Sequence, residues 1–392
     1  MAQARGAGLE EAAHSDPDRP SSASLRRGWT TGSCATAAAK AAYAALLTGR
    51  FPDPVVISLP NGRSVAFALA ESRLQGGVAQ AGVVKDAGDD PDVTHGALIR
   101  VTLRLLPEGG GLVFRAGEGV GTVTRPGLPV PVGEPAINPV PRRMIAQALS
   151  EVAAESGGGR AVDVQVTIAV PGGAALAERT LNGRLGIVGG LSILGTTGIV
   201  VPFSCAAWID TIRRGIDVAR AMRIDHVAGA TGNVSERAVQ ALHGLPEVAL
   251  IEMGDFAGGM LKYLRDHPVP RVTVAGGVAK LAKLSQGLLD LHSGRGRVDL
   301  AALAEAAVAA GGDDALAGSI MTANTAQLAF ALARERGIAL GDAVAARAWQ
   351  VAAEVLAGSG IMLELVLFDR DGMVQGRAGF RPVGGHARKR RR

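Results

Sequence analysis

The densest collection of reactive side chains is the string KDAGDDPDVTHG at 85–96, where Lys85, four aspartates and His95 crowd into one turn-rich stretch. Clustered carboxylates beside a histidine could supply a general base or hold a cation. The acids lack regular calcium-loop spacing, and Asp, Gly and Pro also build ordinary solvated turns. A second cluster, Thr30-Thr31-Gly32-Ser33-Cys34, precedes an alanine-rich run. Hydroxyls and free amides at a helix start can bind an anion, or simply cap the helix. A third stretch, 118–143, alternates Pro and Gly with Val, Ile and Asn and ends on Arg142-Arg143. Prolines at this density fix an extended path, and paired guanidiniums can take carboxylates.

Further along, three glycine-containing turns follow apolar runs: Gly195-Thr196-Thr197-Gly198, Gly229-Ala230-Thr231-Gly232-Asn233 and Glu252-Met253-Gly254-Asp255-Phe256. None is a GxGxxG fingerprint. A fourth group holds Gly276-Gly277, Lys280, Lys283 and Asp290-Leu291-His292-Ser293. Its lysines read equally as solvated helix residues.

The elements that position these groups divide the chain. Residues 1–24 lack apolar periodicity and read as a disordered tail. Between 25 and 180, an alanine-rich helix from about Cys34 to about Gly49 precedes short β-rich runs with Asn-Gly and Gly-Gly signals. This is an α+β pattern with mostly antiparallel pairing. From 181 to 382, strands alternate with helical stretches of 10–15 residues, the pattern of a Rossmann-like α/β domain with a mostly parallel sheet. RLGIVGGLSIL is expected to be its first strand. Residues 383–392 form a basic tail. In parallel sheets ligands sit beyond the carboxyl ends of the strands, which is where all three turns are expected.

Composition limits the function. The 41 Lys+Arg and 36 Asp+Glu give +5, yet the last five residues are all basic. Without them the charges balance, so the basic character belongs to the tail. Aromatics are only 3%, which argues against base stacking and a nucleic-acid partner. No apolar run approaches the ~20 residues of a membrane span. The N-terminal stretch lacks a secretory h-region, and two cysteines, Cys34 and Cys205, build neither a disulfide framework nor a zinc site. A reduced, cytoplasmic protein is expected, with self-association left open. Glycine, at 54 of 392 residues, runs at about twice the usual share.

The strings GWTTGSCATAAAKAA, VVKDAGDDPDVTHG, GVGTVTRPGLPVPVGEPAINPVPRRMI, GLSILGTTGIVVPFS, ATGN, EMGDF and LDLHS resemble the cobalt-precorrin-5B C(1)-methyltransferases, the CbiD family of cobalamin biosynthesis. The match runs in order from about Arg26 to Phe380. The resemblance implies S-adenosylmethionine-dependent methylation at C1 of a cobalt corrinoid in the anaerobic route, giving cobalt-precorrin-6A. It also implies an α+β domain followed by a Rossmann-like one. Cobalt arrives with the substrate, and no protein-bound metal is expected.

On that basis Asp86, Asp89 and His95 are candidate bases. Gly195, Thr196, Thr197, Gly198, Thr231, Gly232, Asn233, Glu252 and Asp255 are candidates for the donor. Thr30, Thr31, Lys85, Arg142 and Arg143 are candidates for the macrocycle and its carboxylates. The alternative reading is a nicotinamide-dependent oxidoreductase acting on a corrinoid precursor, which would use the same sheet edges.

Overall fold

The computed structural model describes residues 25–156 and 161–384. The expected N-terminal tail at 1–24 and the basic residues 388–392 lie outside the described residues. The chain runs through β1 (Gly28–Trp29), α1 (Thr31–Thr48), β2 (Val55–Ser58), β3 (Ser64–Phe67), β4 (Glu71–Gln75), β5 (Val78–Val84), β6 (Leu98–Leu105) and β7 (Leu112–Ala116). It continues with β8 (Thr122–Val123), α2 (Pro139–Glu155), β9 (Val164–Ala169), α3 (Gly173–Ala177), β10 (Ile187–Val188) and β11 (Ile199–Val200). Next come α4 (Cys205–Ala221), β12 (His226–Ala230), α5 (Asn233–His243), β13 (Leu250–Glu252), α6 (Ala257–Asp266), β14 (Arg271–Gly277) and α7 (Val278–Ser285). Four helices follow, α8 (Leu300–Ala309), α9 (Asp314–Met321), α10 (Ala326–Glu335) and α11 (Leu340–Val355), and then β15 (Met362–Phe368) and β16 (Val374–Pro382). The protein is thus a mixed α/β structure. No described helix is long and apolar enough to cross a membrane.

Two five-stranded sheets carry the two largest cores. The first has the order β4-β5-β6-β9-β7, antiparallel except for the β7–β9 pair. Alternate residues of β6 and β9 (Ile99, Val101, Leu103, Val164, Val166, Ile168) are fully buried, so one face of this sheet is packed. Against it lies α1, whose alanines are buried on nearly every side. Only side chains this small let one helix approach a sheet and α2 together. Gly49, at φ +77, ends the helix, and its N–H donates to Ala45 O at 2.9 Å.

The second sheet has the order β13-β12-β14-β15-β16. The first three pairings are parallel and the last antiparallel. Its central strands are buried on both faces, as a helix-covered parallel sheet requires. Val227, Val272, Val274, Leu363 and Leu365 enter the core shared with α4, α6, α7 and α11. The alternate residues Ala228, Ala275, Val366 and Phe368 meet Val239 of α5.

Residues 187–200 depart from expectation. β10 pairs with β8 and β11 with β1, while Leu191 and Ile193 enter the first core. Local periodicity reveals a strand but not its partner. Here the Pro/Gly-rich segment supplies the partner, for example through Ile193 N–H to Ala136 O (2.8 Å) and Asn138 N–H to Ile193 O (2.9 Å). Val383, expected in the basic tail, is buried, and its N–H donates to Ile361 O.

A polar layer lies under the end of α5. Glu364 is 0% exposed and is satisfied by Arg377 (2.6 and 2.7 Å), Thr273 Oγ1 (2.8 Å) and His243 Nε2 (2.6 Å). His226 Nε2 meets the same threonine hydroxyl at 2.8 Å. Burial, then the neighbouring His243 and Arg271, push His226 from 6.5 down to about 4. Between those values the unfolded chain binds a proton that the native protein does not, so stability falls as pH drops through the window. We expect urea unfolding to lose on the order of 2–3 kcal/mol from this group between pH 7 and pH 4. His226→Gln should flatten the profile by that amount, and parallel profiles for the two proteins would contradict this.

Candidate functional site

Site-bearing residues fall into two groups. The first surrounds the start of α1. The Thr30 hydroxyl accepts the Ser33 N–H (3.2 Å), Thr30 N–H donates to Gly198 O (3.1 Å), and Gly32 N–H donates to Leu194 O (3.0 Å). Ser33 Oγ donates to Gly198 O at 2.8 Å. These donors are therefore taken by the protein itself, and Thr30 and Thr31 are buried. Gly195, at φ +139, lies so close that a Cβ would sit 2.3 Å from Thr30 Oγ1. The Gly195–Gly198 turn therefore caps α1; it does not join the turns at the ends of the parallel strands. Thr196 and Thr197 on its outer side are exposed.

The 85–96 loop packs on the same region and works largely as a clasp. Lys85, 2% exposed, donates to Asp92 and to Thr94 Oγ1 (2.5 Å). Asp86 pairs with Arg26 and accepts the Gly88 N–H (2.9 Å). The Arg26 guanidinium holds the Asp86 carboxyl below the usual carboxylate range. Asp89 accepts the Arg26 N–H (2.6 Å), Asp90 the Phe203 N–H (2.9 Å), and His95 Nδ1 the Ala87 N–H (3.1 Å). In neutral His95 that acceptor role places the proton on Nε2. Burial drives the Cys34 thiol up to about 12, so it is no nucleophile at neutral pH.

The two arginines part company. Arg142 is committed to Ile137 O (2.9 Å) and Glu134 (3.1 Å) and lies over the Phe114 ring. Arg143 points outward and is exposed.

The second group occupies the carboxyl edge of the second sheet. Because β12 lies between β13 and β14, the chain leaves it first toward one side and then toward the other, which opens a crevice where the two directions diverge. Gly232 precedes α5 and Gly277 precedes α7; a Cβ built on either meets nothing within 4 Å. Thr231 N–H donates to Ala275 O (3.1 Å), tying the two strand ends together. Asn233 is the first residue of α5.

Glu252, at the end of β13, is half-buried, and burial and then Glu236 raise its pKa. Glu236 itself is held by two bonds from Arg184 (2.8 and 2.5 Å). Asp255 pairs with Lys280, whose Nζ also reaches Leu291 O (3.1 Å). Lys283 donates to Leu291 O and His292 O (3.1 and 3.2 Å), strapping the LDLH turn to this edge. The structure therefore brings together Thr231, Gly232, Asn233, Glu252 and Asp255, and places Gly195–Gly198 elsewhere.

The two groups are joined through residues 203–208. Phe203 N–H binds Asp90, and one turn into α4 the Trp208 Nε1–H donates to Glu252 O (3.2 Å). Sequence reasoning missed Arg184, Trp208 and the Asp90–Phe203 contact. Arg184 and Trp208 form no reactive cluster of their own, Asp90 reads as one acid among four, and only the fold gives each its partner.

The family model described as CbiD matches residues 18–202, and the one described as CbiD, C-terminal domain, matches 290–379. A cobalt-precorrin-5B C(1)-methyltransferase of Bradyrhizobium sp. is 64% identical over 90% of this chain and 93% of its own length. That of Agrobacterium fabrum is 62% identical over the same shares. That of Halorhodospira halophila is 59% identical over 93% of this chain and 97% of its own. A solved structure of the cobalamin biosynthesis protein cbiD from Archaeoglobus fulgidus is 28% identical, covering 65% of this chain and 77% of that one with a TM-score of 0.36. With both family models in order and relatives this similar along nearly their whole length, the chain belongs to the CbiD family.

Proposed function

We propose that this chain is an S-adenosylmethionine-dependent methyltransferase that methylates C1 of cobalt-precorrin-5B to give cobalt-precorrin-6A. The observation that carries the reading is 64% identity across 93% of a relative named for methylation at that carbon. The nicotinamide alternative has no counterpart in the names of these relatives.

The donor supplies an electrophilic methyl group. We assign it to the crevice between β12 and β14. Gly232 and Gly277 leave room there, and the Glu252 and Asp255 carboxylates accept hydrogen bonds from ribose hydroxyls. Asp255 can hold Lys280 and a hydroxyl together, since a carboxylate has about four acceptor positions. The macrocycle lies against the clasp and the exposed Thr196, Thr197 and Arg143. Thr30, Lys85 and Arg142, with their hydrogen bonds internally engaged, and the buried Thr31 shape that wall without touching the substrate. The residues' task is to hold C1 and the methyl roughly 3–3.5 Å apart in line.

For a proton leaving the ring, Asp89 is the base we favour. It is exposed, its carboxylate accepts the Arg26 N–H, and the Arg26 guanidinium interacts with it less strongly than with Asp86. Asp86 is neutralised by Arg26, and the accepting nitrogen of His95 is occupied.

The same geometry supports a division into an α+β unit and a Rossmann-like unit, with the strand order of flavodoxin-like doubly wound sheets. Because β10 and β11 pair with the first half, we draw the boundary at about residues 201–204 rather than the expected 180/181.

Two measurements test these assignments. Glu252→Ala/Asp255→Ala should weaken S-adenosylhomocysteine binding in calorimetry by about 10-fold or more; unchanged affinity would remove the donor from this edge. Asp89→Asn should keep that affinity while methyl transfer to cobalt-precorrin-5B drops about 10²–10⁴-fold. Full turnover would exclude Asp89 as the base.

A further inference from the structure

The chain holds only 3 Trp, 2 Tyr and 8 Phe. Against that scarcity, an indole left 44% exposed in the first turns of a helix calls for a physical reason. Trp208 is not a loose surface residue. Its Nε1–H is fixed to Glu252 O, and its ring lies over Gly254. A Cβ at Gly254 would stand 3.2 Å from Trp208 Cζ2, and the φ of +53 there already favours glycine. Phe256 supports the indole from another side, with ring centroids 6.3 Å apart and tilted by 45°. The protein thus holds a flat π surface at a fixed height above the turn that carries Glu252 and Asp255, and leaves part of that surface open.

We propose that Trp208 is the wall against which the adenine of the methyl donor packs, so that α4 completes a nucleoside site begun by the sheet edge. The proposal rests on the donor placement given above. A nucleoside whose ribose hydroxyls meet the two carboxylates carries its base one sugar ring away, and the indole borders that turn. Stacking suits an adenine because its whole face is available while its edge stays hydrated. It also links the two halves of the reaction. Trp208 sits five residues beyond Phe203, whose N–H is held by the Asp90 clasp, so the surface that receives the donor is fixed relative to the loop that faces the macrocycle.

The test uses the full-length protein and three probes: S-adenosylhomocysteine, adenosine and the stable cobalt corrinoid cobyrinic acid. Trp208→Ala should weaken both nucleosides by about 10-fold or more, while Trp208→Phe, which keeps a ring, stays within about threefold. Cobyrinic acid affinity should not change in either variant. In Trp29→Phe/Trp349→Phe protein, where Trp208 is the sole indole, adding S-adenosylhomocysteine should quench the emission and shift it to the blue. Unaltered nucleoside affinity in Trp208→Ala, with Glu252→Ala/Asp255→Ala weakened, overturns the role of Trp208 and leaves the donor placement standing. If the carboxylate variant is also unaltered, the placement falls and the proposal with it. Loss confined to cobyrinic acid assigns the indole to the macrocycle and likewise overturns the proposal.

Discussion

The carboxylate of Asp90 holding the backbone N–H of Phe203 is the contact on which the arrangement of the site depends. Phe203 adopts φ +55, a left-handed conformation that costs a residue with a Cβ about 1–2 kcal/mol. A hydrogen bond to a charged acceptor contributes about 1.5–3 kcal/mol, enough to offset that cost. The resulting turn redirects the chain from β11, which is paired with the first half, into α4, which packs on the second sheet. One turn later Trp208 reaches the end of β13. The aspartate-rich loop therefore anchors the entry to the second half.

The same economy recurs in the rest of the loop. Lys85, Asp86 and Asp92 could each be drawn as a reactive group, yet each is matched to a partner within the protein. Buried or half-buried charges need such pairing before any ligand arrives. What remains open is narrower: an exposed Asp89, the second nitrogen of His95, Thr196 and Arg143. The sheet edge differs, because two glycines leave space there and Glu252 carries a carboxyl whose pKa burial has raised.

Much of this was legible in the sequence. The hydroxyl cap and alanine run of α1, the antiparallel first sheet and the alternation behind β12 to β14 follow from propensity and period, which are local. The turns at Thr231–Asn233 and Glu252–Asp255 were placed at strand ends for the same reason. Gly195–Gly198 is expected at such a strand end too but lies at the start of α1, because its position is set by pairing between 118–143 and 187–194, more than 50 residues apart and without periodic signature. Trp208 and Arg184 were silent for a related reason. A lone side chain carries no pattern, and its meaning comes from the strand end or carboxylate that the fold brings to it. Even Arg142-Arg143, read as a pair, separates once α2 turns one guanidinium inward over Phe114 and the other toward solvent.

The central claim is that the donor lies at the β12–β14 crevice and the macrocycle against the 85–96 clasp, with residues 203–208 setting the distance between them. The most direct measurement is a crystal structure with S-adenosylhomocysteine and a cobalt corrinoid bound together. The expected result is the ribose on Glu252 and Asp255, with C1 of the corrinoid beside Asp89. S-adenosylhomocysteine seated instead at the Gly195–Gly198 turn and the start of α1 would contradict it.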